Sequence, residues 1–162
     1  MKNLILIRHA KSSWEEPVSD KDRCLTARGK NDAALVSLDC SNLLKDNFVL
    51  FSSKARRAFD TATIFATNFS FPLNDIIISE DLYTFDENQL EKTIRSLSND
   101  LENVILFGHN AAITNFVNKF GDIFIENVPT SGLVWIKFDS QEWKLLTKGK
   151  IQKMLFPRDL KI

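Results

Sequence analysis

Residues 3–14 read NLILIRHAKSSW, and the first seven of them decide the fold. Leu4, Ile5, Leu6 and Ile7 follow one another with no alternating polar position, the pattern of a strand buried on both faces. The run then stops at Arg8 and His9, an adjacent pair that a core strand does not carry without a reason. Working outward, the same design recurs. Residues 48–53 (FVLFSS), 75–79 (DIIIS) and 103–109 (NVILFGH) are short apolar runs, and each is followed by a longer segment of helical period.

Thr26 is a predicted N-cap for a helix over 27–45 with Ala34, Leu35, Leu38, Leu43 and Leu44 inward. Residues 54–69 place Ala58, Ala62, Phe65 and Ala66 on one helical face. Residues 86–98 do the same with Leu90, Ile94 and Leu97, and 110–120 form a helix that Gly121 closes. Between the first strand and first helix lies a polar loop, 10–24, in which Pro17 and the charges argue against regular structure. The tail breaks the alternation: residues 132–138 (GLVWIKF) and 143–148 (WKLLTK), joined by DSQE, predict a hairpin. The expected architecture is a three-layer α/β/α sandwich with a mostly parallel central sheet and an antiparallel edge, in a single domain over 1–162.

Composition narrows the function. The formal net charge is +0, so the chain lacks the basic field of nucleic-acid binders, and any phosphate chemistry must come from a local cluster. Cys24 and Cys40 have neither metal-ligand nor redox spacing and read as structural thiols of a reducing compartment. The apolar run 4–7 is too short for a signal-peptide core, and no stretch approaches the ~18 apolar residues of a membrane span. A cytoplasmic monomer without metal or other cofactor is expected.

Ligands of open α/β sheets bind outside the carboxyl ends of the strands. Three predicted strands end there in unusual residues: Arg8 and His9; Ser52 and Ser53, with Arg56 and Arg57 a turn later; and Gly108, His109 and Asn110. Each alone has an ordinary reading as a solvated loop or helix start. Together they bring both histidines of the chain to one sheet edge beside arginines, which predicts a small anion pocket. Guanidinium groups match phosphate oxygens. Neighbouring positive charge also disfavours imidazolium, so a ring keeps its lone pair for attack.

LIRHAKSSW, RCLTARG, SSKARRAFDTA and VILFGHN, with VPTSGLVWIKF later, occur in the order and spacing of the histidine phosphatase superfamily, which includes phosphoglycerate mutase. The short length and the RHAKSSW form resemble the small phosphohistidine phosphatase branch typified by SixA. The resemblance implies a phosphoglycerate mutase-like fold. It implies His9 as the nucleophile that becomes a phosphohistidine, Arg8 and Arg57 as phosphate ligands, and His109 completing the pocket. Arg57 fits the family pattern better than Arg56 does. Arg23 corresponds to an arginine that the small branch places near the substrate, and Ser12 is a candidate phosphate donor, as are Ser52 and Thr130. Cys24 and Lys54 stand where the family often has proline, and Ala10 where the mutases have glycine.

The segment 78–89 (ISEDLYTFDENQ) is short and lacks the acid-bearing insertion of the mutases and many ester phosphatases. An alkoxide leaving group, with a conjugate acid of pKa roughly 16, needs a general acid. Imidazole, with a pKa of about 6.5, does not. The preferred reading is therefore a metal-independent phosphatase acting on phosphohistidine of a protein partner. The alternatives are a small-ester (sugar phosphate) phosphatase using Glu80, Asp81, Asp86 or Glu87 as acid, and a non-catalytic phosphate or phosphoprotein-binding module. Phe48, Phe51, Phe65, Phe107 and Phe116 read as core, and Trp14 reads either as cover for the core or as part of the pocket rim.

Overall fold

The computed structural model describes residues 1–42 and 47–161. One six-stranded sheet runs in the order β3-β2-β4-β1-β5-β6. Its strands are β1 (Lys2–Arg8), β2 (Val49–Ser53), β3 (Ile77–Ser79), β4 (Asn103–Gly108), β5 (Leu133–Phe138) and β6 (Lys150–Leu155). The first four are mutually parallel, whereas β5 runs antiparallel to β1 and β6 antiparallel to β5. The carboxyl ends of β1, β2 and β4 therefore share one edge.

Pleating divides the opening run between two cores. Leu4 and Leu6 face α3 (Glu87–Arg95) and α4 (Ala112–Phe120), packing with Leu90, Ile94 and Phe116. Ile5 and Ile7 face α1 (Ala27–Cys40) and α2 (Arg56–Asn68), packing with Val36, Ala62 and Phe65. Both faces of β1 are thus covered, the condition that permits an uninterrupted apolar run. A short α5 (Pro157–Leu160) closes the chain beside α1. Among the described residues no helix is long and apolar enough to cross a membrane.

Two expectations change. α1 is capped as predicted, Thr26 Oγ1 accepting from Gly29 N–H at 3.0 Å, but its inward face is Ala33, Val36, Ser37 and Cys40, and Leu38 is exposed. Small residues on that face let the helix approach its neighbours closely. Gly29 is the extreme case, since a Cβ there would lie 2.2 Å from Lys11 O. Leu43 and Leu44 lie outside the described residues.

The hairpin is also displaced. Residues 143–145 form a 3-10 turn, and the strand that pairs with β5 is Lys150–Leu155. The side chain of Trp143 explains the shift: it is fully buried and donates its indole N–H to Leu101 O at 2.8 Å. Extending this segment along the sheet edge would expose the ring and lose that bond.

Candidate active site

The loop after β1 is fixed by the segment leading into α1. Ser13 N–H donates to Cys24 O at 2.8 Å and Thr26 N–H to Lys11 O at 2.9 Å, with a single bridge between Ser12 and Leu25. This clamp brings Ser12 and Arg23 to the end of β1. β2 ends in Ser53, whose Oγ accepts the N–H of Ala55 at 3.2 Å just before α2 begins. Arg57, in the first turn of α2, is thereby turned inward and is 1% exposed, while Arg56 points outward to Asp60 at 3.4 Å.

The predicted residues converge. His9 and His109 lie with ring centroids 5.2 Å apart. Arg57 Nε is 3.4 Å from His9 Nε2, and Arg57 Nη2 is 3.5 Å from His109 Nδ1. Arg23 Nη1 donates to Ser12 Oγ at 2.7 Å. Arg8 Nη1 donates to Val128 O at 3.0 Å, and its buried Nε has no partner among the described residues. Arg8, His9, Ser12, Arg23 and Arg57 line a cavity of about 290 Å³, with Thr130 on its wall. Ser52 turns elsewhere, to Ser53 O. His109 itself sits behind this wall, in contact with Arg57.

The hydrogen bonds fix both tautomers. His9 Nδ1 lies 2.8 Å from Ala10 O; a carbonyl only accepts, so Nδ1 carries the proton and Nε2 keeps the lone pair. Arg57 only donates, so His109 Nδ1 accepts from it and Nε2–H donates to Ser53 Oγ at 2.8 Å. Burial first, then the charges of Arg57, Arg8 and Arg23, push His9 down to about 4 against the opposing bond to Ala10 O. Burial, the neighbouring His9 and Arg57 push His109 down to about 3. Both rings are neutral at pH 7.

The sequence reading missed Asp20, which also lines the cavity. It opens a 3-10 turn, Asp20–Asp22, inside the loop read as irregular. Its Oδ2 accepts from Arg57 Nη2 at 3.0 Å and from the Tyr83 hydroxyl, and its Oδ1 from Arg23 Nε at 3.3 Å. Desolvation alone would raise this carboxyl, but the hydrogen bonds from Tyr83 and Arg57 and the charges of Arg57 and Arg23 outweigh it and hold it at about 2. Tyr83 was missed as well; its ring lies 5.3 Å from that of His109. The only sequence signal was an acidic turn shortly before Arg23, which has an ordinary reading as solvated.

The carboxylates weighed as acids are elsewhere. Glu80 pairs with Lys54 at 2.9 Å, Asp86 N-caps α3 by accepting from Gln89 N–H at 3.1 Å, Asp81 is exposed, and Glu87 is half-buried in the first turn of α3. None lines the cavity. Trp14 belongs to the rim: it is 75% exposed, lines the cavity, and carries the Arg23 guanidinium 3.4 Å above its ring.

The model of the histidine phosphatase superfamily (branch 1) matches residues 4–100. The chain belongs to this superfamily. No curated protein matches the sequence. Among solved structures, the protein histidine phosphatase SixA complexed with tungstate is 18% identical, with TM-score 0.81 over 98% of this chain and 99% of that one. A protein assigned as phosphohistidine phosphatase SixA of Agrobacterium tumefaciens is 21% identical, with TM-score 0.79 over 95% and 97%. A mycobacterial glucosyl-3-phosphoglycerate phosphatase in complex with VO3 is 11% identical, with TM-score 0.68 over 94% and 98%. The phosphoglycerate mutase-like fold of this superfamily member agrees with the expectation from sequence.

Proposed function

We propose that the protein is a metal-independent phosphatase that works through a phosphohistidine on His9 and whose preferred substrate is a phosphohistidine on a protein partner. The observation that carries this reading is the state of His9. Its Nε2 lone pair is unprotonated, fixed by the Nδ1–H to Ala10 O, and faces Arg57 inside the cavity. A neutral, oriented imidazole among cations is what an in-line attack on phosphorus requires.

In the first step the Nε2–P bond forms as the bond from phosphorus to the leaving nitrogen breaks; the substrate ring, already protonated on its distal nitrogen, takes the bonding pair and departs as neutral imidazole. In the second, water adds to phosphorus as Nε2–P breaks, giving inorganic phosphate and returning His9 to its starting state. Arg8, Arg57 and Arg23 hold the phosphoryl oxygens in both steps. His109, whose Nδ1 faces Arg57, takes a proton when the dianion binds and donates to the phosphoryl group.

The choice of leaving group rests on Asp20. It is the one carboxylate on the cavity wall among the described residues, and at a pKa of about 2 it is ionised at pH 7. It therefore has no proton for an alkoxide, whereas imidazole departs without one. The test is a ranking by kcat/KM of a phosphohistidine-bearing protein, phosphoramidate and a sugar phosphate. The reading expects the nitrogen-linked substrates to lead by at least about 100-fold, the usual contribution of a missing general acid. A sugar phosphate in first place would overturn it in favour of an ester phosphatase.

A further inference from the structure

Arg57 is almost fully buried, and its five N–H donors diverge in two directions. Along one edge, Nε and Nη2 face His9 Nε2 and His109 Nδ1 at 3.4 and 3.5 Å. Along the other, Nη1 donates to the backbone carbonyl of Asp20 at 2.6 Å and Nη2 to its carboxylate at 3.0 Å. One residue thus engages the whole far edge of the guanidinium through main chain and side chain together. A bidentate hold of this kind fixes the plane of a guanidinium as well as its position.

Asp20 is itself tied down. Its carbonyl also accepts Arg23 N–H at 3.3 Å, closing the turn, and its carboxylate collects Arg23 Nε and the Tyr83 hydroxyl. Three elements meet there: the loop after β1, the first turn of α2, and the segment following β3. We propose that Asp20 is a positioning residue. It takes the outer edge of Arg57, so that the inner edge stays aimed at the point where a phosphoryl group bridges His9 and His109. Tyr83 in turn holds Asp20. The segment after β3 thus contributes a phenol that acts through the carboxylate on an arginine.

The inference rests on Arg57 binding the phosphoryl group, and its test is chosen to need no turnover. Tungstate affinity is measured for the wild type, Asp20→Ala and Asp20→Asn, with thermal unfolding recorded for each. A carboxylate that acted only through its charge would repel the oxyanion, so its removal would tighten binding. Positioning has the opposite sign. Asp20→Ala is expected to bind tungstate about 10-fold more weakly, although the pocket has become more positive, and to lose about 100-fold in kcat, the scale of an ångström-sized misplacement. Asp20→Asn keeps the carbonyl and an amide oxygen for Arg57 and is expected to stay within about threefold of the wild type in both.

Tighter tungstate binding by Asp20→Ala, or equal loss in the Asn and Ala variants, would overturn the proposal. Rapid-quench kinetics add a second discriminator. Positioning slows formation and breakdown of the phosphoenzyme alike, whereas accumulation of phosphoenzyme in both variants would make Asp20 the base for the attacking water. Failure of the wild type to form a phosphoenzyme would count against His9 as nucleophile and leave the tungstate comparison to decide on Asp20.

Discussion

Arg57 Nε points at His9 Nε2 from 3.4 Å. This is an arginine 48 residues further along the chain meeting the one ring nitrogen that carries a lone pair. The contact is longer than an ordinary N–H hydrogen bond, whose mode is about 2.9–3.0 Å. It marks the direction along which a phosphoryl oxygen would replace the nitrogen as acceptor.

Arg57 and Arg56 differ by one position on α2 and should differ greatly in effect. Arg57→Ala removes an oxyanion ligand and is expected to lower kcat on an aryl phosphate by about 100- to 1,000-fold. Arg56→Ala, which breaks only an exposed pair with Asp60, should stay within about twofold. Steady-state kinetics on the two variants side by side check the assignment.

The pH dependence follows from the two imidazoles. His9 must be neutral to attack, and its pKa is about 4. Corrected for ionisation of the substrate, kcat/KM should stay level from pH 8 down to 5 and fall tenfold per unit below about 4. An acid limb near 6.5, the value of an unperturbed histidine, would mean that the nucleophile is not held as described.

Stability follows the same groups. The unfolded chain protonates both histidines near 6.5, while the folded one resists until about 4 for His9 and about 3 for His109. Between these limits the unfolded state binds more protons, so stability rises with pH. Each ring contributes a slope of about 1.4 kcal/mol per pH unit at most. Asp20, depressed to about 2, acts in the same direction, and its contribution is lost below 3.8. Denaturant midpoints taken at pH 7, 5.5 and 4.5 should decline in that order.

Ser53→Ala removes the partner of the His109 Nε2–H, which is buried. A buried donor left unpaired costs about 1–3 kcal/mol, and the Tm should fall accordingly. The ring also loses its second anchor, Arg57 alone then facing it at Nδ1, so kcat should drop more than KM changes. Ser52→Ala, beside it in sequence, should leave kcat unaltered, because among the described residues Ser52 Oγ bonds only to Ser53 O.

Much of this site was legible in the chain because its parts lie at strand ends. An apolar run buried on both faces predicts where a strand stops, and the stops at His9, Ser53 and His109 define the edge of the candidate site without any knowledge of strand order. Asp20 was not legible, because its role depends on a loop closing over α2, and nothing in the local pattern of SDKDR sets that closure. Trp143 illustrates a different failure. Its segment has strand-like composition, but the indole is better satisfied in the core at Leu101 O, so the strand forms seven residues later. Leu38 was misplaced because small residues, rather than large ones, make the close face of α1.

The most direct test of the whole account is a covalent one. Purified protein is mixed with excess phosphoramidate, quenched in alkali within milliseconds, and mapped by mass spectrometry. The account predicts one phosphoryl group on the imidazole of His9, labile to acid, absent from His9→Ala, whose turnover should fall to background while its thermal unfolding stays near that of the wild type. Turnover persisting in His9→Ala, or a phosphoryl group mapped to any other residue, would contradict it.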